Sequence, residues 1–264
     1  MRETTRVVPS WGSKQSMVVR PVLNRVLRHR CLNISRMHTS TQAGANSTNG
    51  KHRKSFTVCV EGNIASGKTA FLEYFKKNKN VEIFEEPVKK WRDVHGNNAL
   101  AMMYEDPTRW ALALQTYIQL TMLELHQSET DKPVKLMERS IYSAKYCFVE
   151  NHFKSGMMPG LEYVVLTEWF NWIIKNNHCN VDLIVYLQAK PETVYQRIRN
   201  RNRHEEQNIS LDYLKSLHDL HEDWLVKRTK FSLPSKVLVI PADNDLEEMH
   251  RIYDKKEKEI LCGV

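Results

Sequence analysis

The sequence predicts an α/β protein: a five-stranded parallel sheet flanked by helices. Three observations carry this. Short apolar, β-branched runs occur at Phe56–Val60, Val81–Phe84, Val134–Met137, Val181–Leu187 and Lys236–Ile240, each a suitable length for a strand buried on both faces. Helix-period patterns separate the runs, and strand followed by helix, repeated, favours parallel pairing with helices on both faces. Between the first run and the first helical pattern lies G-x-x-x-x-G-K-T, Gly62 to Thr69, in the strand–loop–helix context that this spacing requires.

Ahead of the first strand lies a basic segment. The 264-residue chain carries a formal charge of +8, but residues 1–50 hold seven Arg and one Lys against a single acid, Glu3. The remaining residues carry 31 basic and 30 acidic side chains, so no general nucleic-acid surface is expected. A segment rich in Arg, Ser and Thr and poor in acids reads as a mitochondrial presequence directing the protein to the matrix. Val18, Val22 and Val26 would form its apolar stripe, against the helix-weakening Pro21. The alternative is a basic tail with no address on a cytoplasmic protein. Thr41–Gly50 reads as a flexible joint, leaving residues 51–264 as one folded domain. No apolar run reaches the roughly 20 residues of a membrane-spanning helix, so no membrane partner is expected. The five cysteines are scattered without C-x-x-C, which reads as reduced thiols and no zinc site.

The run Phe56–Val60 leads into the glycine loop, and T-A-F-L-E-Y-F from Thr69 reads as its helix. Gly62 and Gly67 permit tight turns close to a phosphate. The backbone N–H groups of Asn63, Ile64, Ala65 and Ser66, with the helix N-terminus, favour anionic oxygens. Lys68 can reach outer phosphates and Thr69 can hold magnesium. The loop alone leaves hydrolysis, switching and transfer open. A guanine-reading N-K-x-D is absent, and Asp93–Gly96, though it matches D-x-x-G, follows no apolar strand. The switch reading weakens.

Ligands of α/β sheets sit outside the carboxyl ends of the strands, and three charged clusters fall there. Glu85-Glu86-Pro87 follows the second run, Glu138-Arg139-Ser140 the third, and Arg197 to Glu206 the fourth run and its helix. Phosphoryl transfer to a hydroxyl needs that hydroxyl oriented and deprotonated, and the moving charge neutralised. Glu86 could do the first. Arg139, Arg201 and Arg203 could do the second, because guanidinium forks match phosphate geometry. Glu138 could position magnesium with Thr69. Between the second and third runs a long helix is predicted from Asp106 (cap) and Pro107 (first position). Its apolar stripe of Trp110, Leu114, Tyr117, Ile118, Thr121, Met122 and Leu125 carries one glutamine, Gln115. That side chain either reaches water at the boundary or is aimed at a ligand. His221 is assigned no chemistry.

These residues together resemble the deoxyribonucleoside kinase family over about residues 55–245. The likeness is carried by V-E-G-N-I-A-S-G-K-T, E-P-V-K-K-W, L-Q-T-Y-I-Q-L-T-M, M-E-R-S-I-Y-S-A-K-Y-C-F-V-E-N and L-H-x-L-H-E-D-W-L. The resemblance implies a P-loop kinase fold with a short arginine-rich lid containing Arg201 and Arg203. It implies ATP with Mg2+ as phosphoryl donor, a pyrimidine deoxynucleoside as acceptor, and a homodimer built from helices. In its terms Lys68, Glu86 and Arg139 are catalytic, with Glu86 the base for the 5′-hydroxyl. Gln115 reads the base edge, which Trp91, Leu114, Ile118 and Phe148 wall. Leu114 stands where an insect relative carries an aromatic. Tyr104 and Glu206 hold the sugar 3′-hydroxyl, although Tyr104 could instead pack helices and Glu206 could pair with Arg203. Members preferring deoxycytidine and purines carry Arg and Asp where this chain has Met122 and Ala144. That difference implies thymidine, deoxycytidine and deoxyuridine as substrates. A thymidylate-type nucleotide kinase, a purine deoxynucleoside kinase and a non-transferring P-loop protein are the alternatives.

Overall fold

The computed structural model describes residues 55–203 and 206–263. The expectations for residues 1–50, Cys31 among them, lie outside the described residues. Five strands form one sheet: β1 (Phe56–Glu61), β2 (Val81–Phe84), β3 (Val134–Glu138), β4 (Leu183–Gln188) and β5 (Lys236–Pro241). Their order is β2-β3-β1-β4-β5 and every pairing is parallel. The runs expected from sequence are the observed strands, with shifted ends. The fourth starts two residues late because Asp182 substitutes for the ladder: its Oδ2 accepts the Thr57 N–H at 2.8 Å. The first and third each run one residue further, bringing Glu61 and Glu138 into the sheet.

Alternation along β1 explains the two-sided core. Val58 and Val60 pack on one face with Phe71, Leu72 and Phe75 of α1 (Lys68–Phe75). Cys59 packs on the other with Met137, Ile184, Tyr186 and Trp224. Both faces being covered, the strand reads as a continuous apolar run, as buried parallel strands do.

Between β2 and β3 lie α2 (Val88–Arg92), α3 (Ala99–Glu105) and α4 (Pro107–Gln127). The start of α4 is as predicted: Pro107 opens it and the Asp106 side chain accepts the Arg109 N–H at 3.2 Å. Its far end is tied to the sheet. Lys135 of β3 donates through Nζ to the carbonyls of Leu125 (2.6 Å), His126 (3.0 Å) and Ser128 (2.6 Å). A cation there caps the carbonyls at the helix end and meets the negative end of the dipole. After β3 come α5 (Ile141–Ser143), a π-helical segment (Ala144–Val149), α6 (Glu150–Lys154) and α7 (Gly160–Asn176). Then α8 (Pro191–Arg201) follows β4, α9 (Leu211–His221) runs into a second π-helical segment (Glu222–Val226), and α10 (Leu246–Ile260) follows β5. Cys59, Cys147, Cys179 and Cys262 are free thiols. Among the described residues no helix is long and apolar enough to cross a membrane.

Candidate functional site

The glycine loop joins β1 to α1. Gly62 has φ +145° and Gly67 φ +102°, and Ala65 is also left-handed at φ +59°. Gly62 is the position where a side chain has no room: a Cβ there would lie 2.7 Å from the Leu187 carbonyl oxygen. Asn63 is buried and braces the loop, accepting the Ile64 N–H through Oδ1 and donating through Nδ2 to the Leu214 carbonyl, both at 2.8 Å. Lys68 is buried, and its Nζ donates to the carbonyls of Asn63 (2.7 Å) and Gly62 (3.2 Å).

The ends of β1 and β3 lie side by side, and an ion cluster forms across them. Arg139 follows β3 directly, with φ +62°, a conformation that costs a non-glycine residue on the order of 1–2 kcal/mol. Its N–H reaches the Val60 carbonyl at 2.9 Å, and its Nη1 donates to the Gly62 carbonyl at 2.8 Å. Its Nε lies 3.1 Å from Glu86 Oε1, but the N–H is off the line of a hydrogen bond and stays unpaired. The guanidinium lies 4.8 Å from the centre of the Phe148 ring. Thr69 Oγ1 donates to Glu138 Oε1 at 3.2 Å.

Burial sets the acidities. It pushes the Lys68 ammonium well below the usual lysine range, and Arg139 adds to this, while Glu138, Glu86 and Glu61 pull the other way. Glu86 is raised by burial and by Glu138, against the pull of Arg139 and Lys68. Its side chain is 17% exposed, recessed yet open to the cavity. A carboxylate raised in this way is a better proton acceptor for a hydroxyl than an ordinary one.

One cavity of about 690 Å³ joins these groups to a second compartment. Of the loop, Ile64, Ala65, Gly67, Lys68 and Thr69 line it, whereas Gly62, Asn63 and Ser66 do not. Those three shape the loop from beneath. Glu86, Glu138 and Arg139 line its middle. The second compartment is walled by Trp91 of α2, by Leu114, Gln115, Ile118 and Met122 of α4, and by Ala144 and Phe148 of the first π-helical segment. Trp91 is held by its indole N–H, which donates to Thr121 Oγ1 at 2.9 Å. Gln115 is buried, and its Oε1 has no hydrogen-bond partner. The boundary reading of Gln115 is therefore wrong: the residue is buried in the cavity wall. An unpaired buried carbonyl oxygen costs roughly 1–3 kcal/mol, which a ligand donor in this compartment would recover.

Arg201 and Arg203 also line the cavity, together with Tyr104 and Glu206. Glu206 is gripped by Arg201 at 2.7 Å (Nε) and 2.6 Å (Nη2), and Arg203 Nη1 lies 3.5 Å away. The main partner of Glu206 is thus Arg201 rather than Arg203. Sequence reasoning missed several groups. Arg197 lines the cavity; its spacing of four from Arg201 was the available signal, since Arg199 turns away to Tyr195 and Gln207. Tyr213 and Met103 also line it, with no local signal in the chain. Among the described residues no three His, Cys, Asp or Glu side chains gather as metal ligands. Thr69 and Glu138 offer two adjacent hard oxygens, which suits a cation completing its shell with phosphate oxygens and water.

The fold and the site define a P-loop protein whose phosphate cradle opens, across a carboxylate and an arginine, onto a separate compartment for a second molecule. Residues 58–261 match the deoxynucleoside kinase family. The chain is 53% identical over 211 residues to thymidine kinase 2, mitochondrial, of Homo sapiens, covering 80% of this chain and 79% of that one. It is 35% identical over 236 residues to deoxycytidine kinase of Homo sapiens, covering 77% and 90%. The chain belongs to the deoxynucleoside kinase family.

The loop geometry makes a direct prediction. Gly62→Ala should weaken binding of an ATP analogue by roughly tenfold or more and destabilise the protein by about 1–3 kcal/mol. Gly160→Ala, with open space around its Cβ position, should leave both unchanged. Calorimetry and thermal unfolding of the two variants measure this, and normal nucleotide affinity in Gly62→Ala would contradict the steric argument.

Proposed function

We propose that the protein transfers the terminal phosphoryl group of ATP to the 5′-hydroxyl of the pyrimidine deoxynucleosides thymidine, deoxycytidine and deoxyuridine, making monophosphates for deoxynucleotide salvage. The observation that carries this is one shared cavity, with the phosphate loop at one end and Gln115 Oε1, buried and unpaired, at the other. A hydrolase or a switch has no use for the second compartment. The names of the two relatives point to the same acceptor class.

In this reading the nucleoside lies with its base between Trp91, Leu114, Ile118 and Phe148, its edge on Gln115, and its sugar near Tyr104 and Glu206. Burial and the nearby Tyr213, Glu206 and Glu86 keep the Tyr104 hydroxyl protonated, so it can donate. The 5′-hydroxyl then meets Glu86, which takes its proton as the oxygen bonds to phosphorus and ADP leaves. Arg139, Lys68, Arg201 and Arg203 neutralise the moving charge. Arg201 would exchange its Glu206 partner for phosphate oxygens when it acts as part of the lid. Thr69 and Glu138 would hold Mg2+, which supplies charge neutralisation on the phosphates. Most of the rate comes from positioning and charge, and little from covalent chemistry.

Met122 and Ala144 leave room and no charge beside the base, consistent with a 5-methyl group. Leu161, Val164, Trp169 and Trp172 of α7 are exposed, and Trp169 and Trp172 line one groove with the exposed Leu120 of α4. A contiguous apolar face of this kind marks an association surface, and we assign it to a homodimer. Residues 1–50 are assigned as a mitochondrial presequence on their composition, and the printed name of one relative carries the same location.

Thymidine-dependent release of ADP from ATP is the expected activity, and release only with thymidine monophosphate would instead indicate a nucleotide kinase. Glu86→Gln should lower turnover by about a thousandfold while thymidine binding stays measurable by calorimetry; near-normal turnover would move the base to Glu85. Met122→Arg combined with Ala144→Asp should suppress thymidine phosphorylation relative to deoxycytidine, and unchanged thymidine turnover would sink the size-and-polarity argument. Sedimentation as a monomer at micromolar concentration, or a residue 1–50 reporter fusion that stays cytosolic, would refute the dimer and the presequence respectively.

A further inference from the structure

Three carboxylates face the Lys68–Arg139 pair, and one of them is sealed off from the cavity. Glu86 and Glu138 line the cavity; Glu61, the last residue of β1, does not, and is fully buried. Its Oε1 accepts the Ser140 hydroxyl at 2.6 Å, and its Oε2 has no hydrogen-bond partner. Burial raises its pKa to about 7, against the pull of Arg139, the hydroxyls of Ser140 and Ser143, and Lys68.

The contacts between β1 and the residues after β3 form a ladder of three. The Arg139 N–H goes to the Val60 carbonyl, the Ser140 hydroxyl to the Glu61 carboxyl, and the Arg139 guanidinium to the Gly62 carbonyl. Three consecutive residues, the last two of β1 and the glycine that follows, thus grip Arg139 and Ser140. Arg139 has left-handed backbone, which persists only where the surroundings over-determine it. Two of the three acceptors are backbone carbonyls that any residue would supply. The third is the Glu61 side chain. In the transfer reading Glu86 is committed to the hydroxyl and Glu138 to the cation, so Glu61 is the carboxyl left to the protein's own architecture.

We propose that Glu61 is a positioning residue for phosphoryl transfer: through Ser140 it holds Arg139 against the phosphate loop in the geometry that transfer needs. This rests on the kinase reading above. It makes Glu61 neither a base nor a substrate contact, and it accounts for a buried carboxyl one residue before the loop whose oxygen is spent on Ser140.

The test uses the full chain, thymidine-dependent ADP release and thermal melting. Glu61→Met removes the acceptor while filling the site with a side chain of similar length. It should lower kcat by roughly tenfold or more while KM for ATP and thymidine stays within about threefold. Glu61→Gln, which keeps an oxygen for Ser140, should recover most of kcat. Ser140→Ala should reproduce the loss, and the double variant Glu61→Met with Ser140→Ala should be no slower than the worse single one, because the two act as one unit. Turnover of Glu61→Met within about twofold of the unsubstituted chain, multiplying losses in the double variant, or no rescue by Glu61→Gln would overturn the proposal. If Glu61→Met does not fold, Ser140→Ala decides: lowered kcat at unchanged KM supports the proposal, and unchanged kcat defeats it. Lack of thymidine-dependent release by the unsubstituted chain would defeat the kinase reading itself, and this inference with it.

Discussion

The buried pair of cations at the joined ends of β1 and β3 constrains the rest of the molecule. Lys68 and Arg139 are both nearly inaccessible, and charges taken out of water cost several kcal/mol each unless paired and hydrogen-bonded. The protein offsets this with three carboxylates and with loop carbonyls. Glu86 lies 3.1 Å from Arg139, Glu138 and Glu61 pull on Lys68, and the Gly62 carbonyl receives a donor from each cation. Such a cluster assembles only if the strands preceding Glu86, Arg139 and Gly62 are neighbours. The order β2-β3-β1 supplies that. The sheet is therefore as much a device for collecting charge at one edge as a core, and the left-handed backbone of Arg139 is stabilised by the contacts it enables.

A second constraint is the separation of two compartments. The phosphate loop belongs to the sheet, whereas the facing wall belongs to α4 and to the helical stretch after β3. That stretch is π-helical from Ala144 to Val149. Ala144 and Phe148, four residues apart on it, both line the cavity. Short π-helical segments of this kind are frequent at functional sites. Phe148 then serves two neighbours, the compartment in front and the Arg139 guanidinium beside it. On the opposite wall Gln115 occupies a position in the apolar stripe of α4 where a hydrocarbon side chain would pack with no unpaired oxygen. The tie between Lys135 and the end of α4 anchors that wall to β3.

Much of this was legible in the chain because it is local. A strand buried on both faces needs a continuous apolar run, a helix start needs a cap and tolerates proline, and a phosphate loop needs glycines at fixed spacing. These requirements act over fewer than about a dozen residues, so the five strands, the start of α4 and the loop from Gly62 to Thr69 could be read directly. The placement of charged clusters at strand ends followed from the parallel sheet, whereas the walls of the second compartment, Trp91, Ile118 and Phe148 among them, came from the family resemblance. The errors were also local in origin. Asp182 replaces a strand residue by using its side chain, and Arg197 was passed over within an arginine-rich run.

The pairing of the charged groups was decided by the tertiary structure. Glu61 reaches Ser140 across 79 positions and Arg139 reaches Gly62 across 77, and no periodicity in the chain encodes such a pair. Whether Gln115 lies at a boundary or is buried in the wall of the cavity likewise depended on how distant segments pack. Burial, which sets the acidity of Glu61, Glu86 and Lys68, is a property of the assembled core and not of any segment. The chain determined which chemical groups stand at the strand ends, because hydrophobic period and turn chemistry are local. The fold determined which of them meet, because desolvation and ion pairing act only once the strands lie side by side.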